Sequence, residues 1–173
     1  ARVRLFGSWY LAAENGCFAK NQNSDSKEDH KLSEKKFVIV TDTNADFPDE
    51  YLKNHGLGRP CLSFSVNGKT SCADKDVIDE HAFYDQMRAG ADVKTMQVNP
   101  EQAKSYFEQY LKDGIEVLYL AFSSGLSGSY NSAIIAAEEL KESYPDLRVA
   151  VIDTLCASLG QGLLTHYAVT MKE

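Results

Sequence analysis

Cysteine and histidine are scarce in these 173 residues, four of each, and neither type is grouped. Cys17, Cys61, Cys72 and Cys156 contain no C-x-x-C pair, so neither a zinc site nor a disulfide framework is expected. His30, His55, His81 and His166 are equally dispersed, which leaves no spacing on which to build a metal centre. Basic side chains are outnumbered: 18 Lys and Arg stand against 25 Asp and Glu, a formal charge of −7 at pH 7. A cationic footprint for nucleic acid is thereby excluded as a first reading. No apolar run approaches the ~20 residues of a membrane-spanning helix, and no leader of charged, apolar and small residues stands at the start. No integral membrane segment is expected, and the expected address is the cytoplasm.

What is present is the composition of a globular domain, 43% hydrophobic and 25% charged. The chain changes character near Phe37. Lys20 to Lys36 is almost wholly polar and charged and cannot bury enough apolar surface to offset the entropy of ordering. Upstream, Val3, Leu5, Phe6, Trp9, Tyr10 and Leu11 form a short apolar patch. The expected division is a polar N-terminal appendage or linker over residues 1–36 and one domain over 37–173.

From Phe37 onward strand and helix patterns alternate. Phe37 to Asp42, Val117 to Phe122 and Val149 to Asp153 are continuous apolar runs, the pattern of strands buried on both faces. Cys61 to Val66 alternates with period two before Asn67-Gly68, which predicts a half-buried strand and a hairpin turn. Helices are predicted over Asp49 to His55, from a cap at Asp79 to Ala89 with an Ile78–Phe83 staple, over Ser127 to Ser143, and over Leu155 to Met171. Asn99-Pro100-Glu101-Gln102 carries a capping box with Pro at the first helical position, and Ala103, Tyr106, Phe107, Tyr110 and Leu111 give that helix an apolar face ending at Gly114. Buried strands separated by helices predict an α/β domain, a largely parallel sheet with flanking helices.

In such sheets ligands bind beyond the carboxyl ends of the strands. Those ends read Thr41-Asp42-Thr43-Asn44-Ala45-Asp46, Ser123-Ser124-Gly125-Leu126-Ser127-Gly128-Ser129, and Asp153-Thr154-Leu155-Cys156-Ala157-Ser158. The serine turn places four hydroxyls and two glycines before a helix start, where unpaired N–H groups and the helix dipole favour an anion. Capping and chain reversal alone would use the same residues. Lys94-Thr95-Met96-Gln97, read as a loop before the capped helix, brings a hydroxyl that could converge on the turn.

Other chemistries fit less well. Gly125-Leu126-Ser127-Gly128-Ser129 approaches the G-x-S-x-G nucleophile elbow, with Asp153 and His166 following in α/β-hydrolase order. Ser129 replaces the last glycine, however, and His166 falls inside a helical pattern. A serine hydrolase using Ser127, Asp153 and His166 is the alternative function. No Gly-Lys-Ser/Thr follows the turn, so it is not a P-loop. Asn44 stands where a phosphatase pair would need a carboxylate, and Asp42 is expected to brace its loop.

Four segments in register resemble the N-terminal lobe of the DegV family of fatty-acid-binding proteins. They are Thr41 to Asp46, Lys94 to Pro100, Ser123 to Ala133, and Val151 to Thr154 with Ala157-Ser158. The resemblance covers Phe37 to the end. It implies a long-chain fatty acid with its tail in an apolar tunnel and its carboxylate bound by Thr95 and Ser124, supported by Ser123, Ser127 and the N–H groups near Gly128. It further implies a carrier without catalytic residues or cofactor, in some members presenting the acid to a fatty-acid kinase. Two positions depart from the family pattern: Met96 replaces a serine and Ser129 a threonine. The family also continues into a second lobe with no counterpart in these residues.

Overall fold

The computed structural model describes residues 36–72 and 79–173. The expected appendage over residues 1–36 lies outside them except for Lys36, and so does Ile78 of the expected staple.

Three of the strands form the parallel sheet. β1 (Phe37–Thr41), β5 (Glu116–Ala121) and β6 (Val149–Asp153) are ordered β1-β5-β6, with Ile39 opposite Leu118 and Tyr119 opposite Val151. Their side chains alternate between two cores. Val38, Val40, Val117, Tyr119 and Ala121 face one way, onto Ala103, Phe107 and Leu111 of helix α3 (Pro100–Lys112) and Ala133, Ala136 and Leu140 of helix α4 (Ser129–Ser143). Ile39 and Leu120 face the other way, onto Val169 of helix α5 (Ser158–Lys172). Both faces of β1 and β5 are thus covered, which is why their sequences run apolar without alternation.

The local signals act as expected at several places. Asn99 Oδ1 accepts the Gln102 N–H at 2.8 Å while Gln102 Oε1 accepts the Asn99 N–H at 3.0 Å, a complete capping box on α3. Asp79 caps helix α2 (Glu80–Arg88) through the Ala82 N–H. Helix α1 (Asp49–Asn54) is followed by Gly56 at φ +58°. The last two helices start later than their apolar patterns, at Ser129 and Ser158.

Three other strands among the described residues form a second, antiparallel sheet ordered β3-β2-β4: β2 (Ser63–Val66), β3 (Lys69–Cys72) and β4 (Val93–Met96). Asn67 (φ +49°) and Gly68 (φ +81°) make the two-residue turn between β2 and β3. Two expectations are corrected here. Thr95 is on a strand rather than a loop, paired opposite Phe64 of β2. Cys61 and Cys72 form a disulfide with Cα atoms 6.1 Å apart. The hairpin explains the pairing, since Cys72 lies opposite Ser63, two residues from Cys61 and on the same face of the ribbon.

Candidate functional site

The carboxyl end of β1 is held by a buried charge network. Asp42 is fully buried, and its carboxylate accepts from the Asn44 amide (3.0 Å), the Tyr119 hydroxyl (3.0 Å), the Phe122 amide (3.1 Å) and Gln161 Nε2 of α5 (3.1 Å). Burial pushes its carboxyl above the ordinary range, and the four hydrogen bonds work against that shift. Tyr119 is driven well above its usual value by burial first and by the Asp42 charge second, so it stays a donor. The bracing role expected of Asp42 holds. Sequence reasoning missed Gln161, whose Nε2 lies within hydrogen-bond distance of Asp42, Thr41 and the Leu120 carbonyl, all far away in the chain.

The serine turn follows β5. Ser123 is buried, its amide donating to the Cys156 carbonyl (3.0 Å) and its Oγ accepting from Gly125 N (3.2 Å). Ser124 is exposed, and its amide donates to Asp153 Oδ1 at 3.1 Å, the oxygen that also accepts the Leu155 amide at 3.1 Å. Burial alone would raise Asp153, but hydrogen bonds from the Ser124 hydroxyl and from the Leu155 and Ser124 amides outweigh it and hold the carboxyl below its usual range. Ser127 Oγ accepts the Ser129 amide (3.2 Å) and lies 3.0 Å from Ser129 Oγ. Gly128 is the N-cap residue of α4. Ser123, Ser124, Ser127 and Gly128 therefore occupy one turn at one sheet edge.

The strand that carries Thr95 runs on into a segment bonded to that turn. Beyond the end of β4, Gln97 Oε1 accepts the Gly128 amide at 3.1 Å, and the Val98 amide donates to Ser129 Oγ at 3.2 Å. These two bonds tie the segment two residues after Thr95 to the start of α4. Thr95 itself is exposed, as is Ser124.

Apolar side chains flank the hydroxyls. Leu126 within the turn is 69% exposed, and Leu155, beyond the end of β6, is 73% exposed. Leu155 is also held at φ +52°, a conformation that leucine rarely adopts, by the Asp153 carboxylate on its amide. Its exposure and strain are signals that no local sequence pattern carries.

The alternative hydrolase residues are not brought together. His166 lies on α5 with Nδ1 2.7 Å from the Tyr51 hydroxyl, Ser127 is paired with Ser129, and Asp153 serves Ser124 and Leu155. No hydrogen bond joins any two of the three. Among the described residues no group of three or more His, Cys, Asp or Glu is arranged to hold a metal ion, and no helix is long and apolar enough to cross a membrane.

Residues 36–173 match the family model described as "Uncharacterised protein, DegV family". The chain belongs to the DegV family. A DegV domain-containing protein of Clostridium perfringens is 45% identical over 140 residues, which make up 80% of this chain and 48% of that protein. Among solved structures, a stearic acid-binding protein from Eubacterium ventriosum superposes with a TM-score of 0.73 at 29% identity, covering 79% of this chain and 47% of that one. A DegV family protein from Thermus thermophilus, described by its fatty acid binding, gives 0.69 at 30% identity, with 79% and 47% covered. The chain spans about half the length of these DegV relatives.

Proposed function

We propose that this DegV chain binds a long-chain fatty acid, with the carboxylate at Thr95 and Ser124 and the acyl tail along the adjoining apolar surface. The observation that carries the reading is the pairing of an exposed serine with exposed leucines: Ser124 and Leu155 hang on the same Asp153 oxygen, and Leu126 stands two residues further along the turn. The DegV relatives described as fatty-acid binding support the ligand class. In this reading residues 37–173 are the DegV lobe and 1–36 an appendage.

The energetics divide the work. Each methylene removed from water contributes ~0.8 kcal/mol, so the tail supplies most of the affinity. The head group must be hydrogen-bonded as it leaves water, and neutral hydroxyls with the start of α4 do so without a cationic partner. Ser124 turns its hydroxyl from Asp153 to the ligand, while Asp153 keeps the Ser124 and Leu155 amides. Ser123 and Ser127 hold the turn in shape. The chain acts as a carrier rather than an enzyme, with no cofactor beyond the bound acid, and a fatty-acid kinase is the partner to which it would present the carboxylate. A cytoplasmic setting belongs to the same reading, and the Cys61–Cys72 disulfide is the feature set against it, because cytosolic thiols are kept reduced.

Mass spectrometry of the denatured, purified protein is expected to release an acyl chain. Replacing Thr95 and Ser124 together by alanine removes two hydrogen bonds to an anion at ~1.5–3 kcal/mol each, so fatty-acid affinity should fall about a hundredfold or more. Unchanged affinity in that double variant removes the site.

A further inference from the structure

Gly128 is a glycine for reasons of space, not of backbone freedom. Its φ of −75° and ψ of 0° are open to any residue. A Cβ built there, however, would lie 2.2 Å from Gln97 Oε1 and 2.7 Å from both Cδ and Nε2. The side-chain amide of Gln97 is therefore seated directly over the Gly128 backbone, in room that only glycine leaves.

That seating fixes which end of the amide points where. A backbone N–H pairs with the oxygen end, so Oε1 takes the Gly128 amide, and Nε2 lies over the same glycine with its hydrogens uncommitted. Nε2 carries two hydrogens and has no hydrogen-bond partner among the described residues, on a side chain that is exposed. The backbone beside it is fixed as well, by the Val98 amide on Ser129 Oγ at 3.2 Å. Thr95 stands two residues before Gln97. The result is a neutral double donor held at the start of α4, next to the hydroxyl segment, with its own carbonyl already occupied.

We infer that Gln97 is a head-group residue, its Nε2 donating to the ligand carboxylate in place of the Gly128 N–H, which Gln97 itself consumes. The inference rests on the reading of Thr95 and Ser124 as the carboxylate site. It alters one part of that site, since Gly128 serves as the seat for Gln97 and not as a donor to the ligand. It also gives the site a basis for selecting an acid over an alcohol. A carboxylate only accepts hydrogen bonds, and accepts them more strongly for its charge, so a fixed pair of N–H groups favours it over a hydroxyl head of the same chain length.

Gln97→Leu removes the donor without adding a charge and should lose dodecanoate binding in preference to dodecanol; Gln97→Glu is its companion. It keeps the side-chain length and an oxygen for the Gly128 N–H, and it exchanges Nε2 for a second acceptor. Binding of dodecanoate and of dodecanol to the 173-residue chain would be measured by displacement of a fluorescent fatty acid, with thermal unfolding followed in parallel. Dodecanoate affinity should fall tenfold or more, the scale of one lost charge-assisted bond, and dodecanol affinity should fall far less. Unchanged dodecanoate binding, or an equal loss for both ligands, overturns the role of Gln97. A second route avoids any folding defect of that variant: Gly128→Ala unseats the amide, so it and Gln97→Ala should each weaken dodecanoate binding, and together should do no more than either alone. Additive losses would overturn the inference. If Thr95→Ala with Ser124→Ala binds dodecanoate like the unsubstituted chain while Gln97→Glu does not, the hydroxyl site is wrong and the Gln97 donor stands elsewhere. If the unsubstituted chain binds no dodecanoate, both fall.

Discussion

The two sheets of this chain are built on different terms. β1 and β5 are covered on both faces, and the end of β1 is anchored by Asp42 through four donors drawn from three segments: its own loop, β5 with the residue that follows it, and α5. The β3-β2-β4 sheet has no fully buried strand residue, and three of the four residues of β4 are exposed. Its coherence comes from a tight turn, a disulfide and two side-chain bonds to the start of α4. The first sheet is held by packing and sets where the serine turn lies. The second is held by a few discrete links and sets where Thr95 lies, so the two halves of the proposed head-group site depend on different forces.

The sharpest way to break that contrast is at Asp42. Asp42→Ala leaves the Tyr119 hydroxyl, the Asn44 and Phe122 amides and Gln161 Nε2 without their acceptor, and should cost roughly 4 kcal/mol of global stability in urea denaturation. A loss below 1 kcal/mol would mean the network is peripheral to the parallel sheet. Cys72→Ser should cost less, about 3 kcal/mol at most from the entropy of the loop closed over a separation of 11 residues. Hydrogen exchange should place that loss in β2, β3 and β4 while β1 and β5 keep their protection. Uniform loss across both sheets would show that the second is no separate unit.

The smallest effect is in pH. Burial raises the folded-state carboxyl of Asp42 above the ordinary 3.8, so the folded chain holds this proton after the unfolded chain has released it. Asp42's contribution to stability is therefore full below about 3.8 and declines as pH rises through the raised folded value. Asp42→Asn should flatten that segment of a stability-against-pH curve. An unchanged slope would assign it to other groups.

β1 and β5 are legible in the sequence because burial on two faces writes itself as unbroken apolar runs; β6, equally apolar in sequence, is an edge strand and only half-buried throughout. The capping box on α3 and the turn at Asn67-Gly68 were legible for a similar reason, each being a local contest that a few neighbouring residues decide. β4 was not. Val93–Met96 is short and mostly exposed, and its extended shape is imposed by β2, whose Val66 and Phe64 lie opposite Val93 and Thr95. The disulfide could have been found by counting outward from the turn, which places Cys72 opposite Ser63; scatter along the chain was a poorer guide than register. Gln161 offered no such signal, since a glutamine in an apolar helix declares its partner only when the sheet beneath it is known. At the candidate site the serine turn is legible as one unit, but α4 starts at Ser129 rather than Ser127, and the loss of Gly128's amide to Gln97 lies beyond any spacing rule.

Helix α5 meets the loop after β1 at a place where nothing larger than hydrogen fits: a Cβ on Gly162 would come within 2.6 Å of the Ala45 carbonyl oxygen. The neighbours of Gly162 are a glutamine and a leucine, so a shift of the helix by one position in either direction would drive a bulky side chain into that oxygen. The helix thus has a single berth on the sheet, and the glycine that defines it sits one residue from the glutamine that grips Asp42.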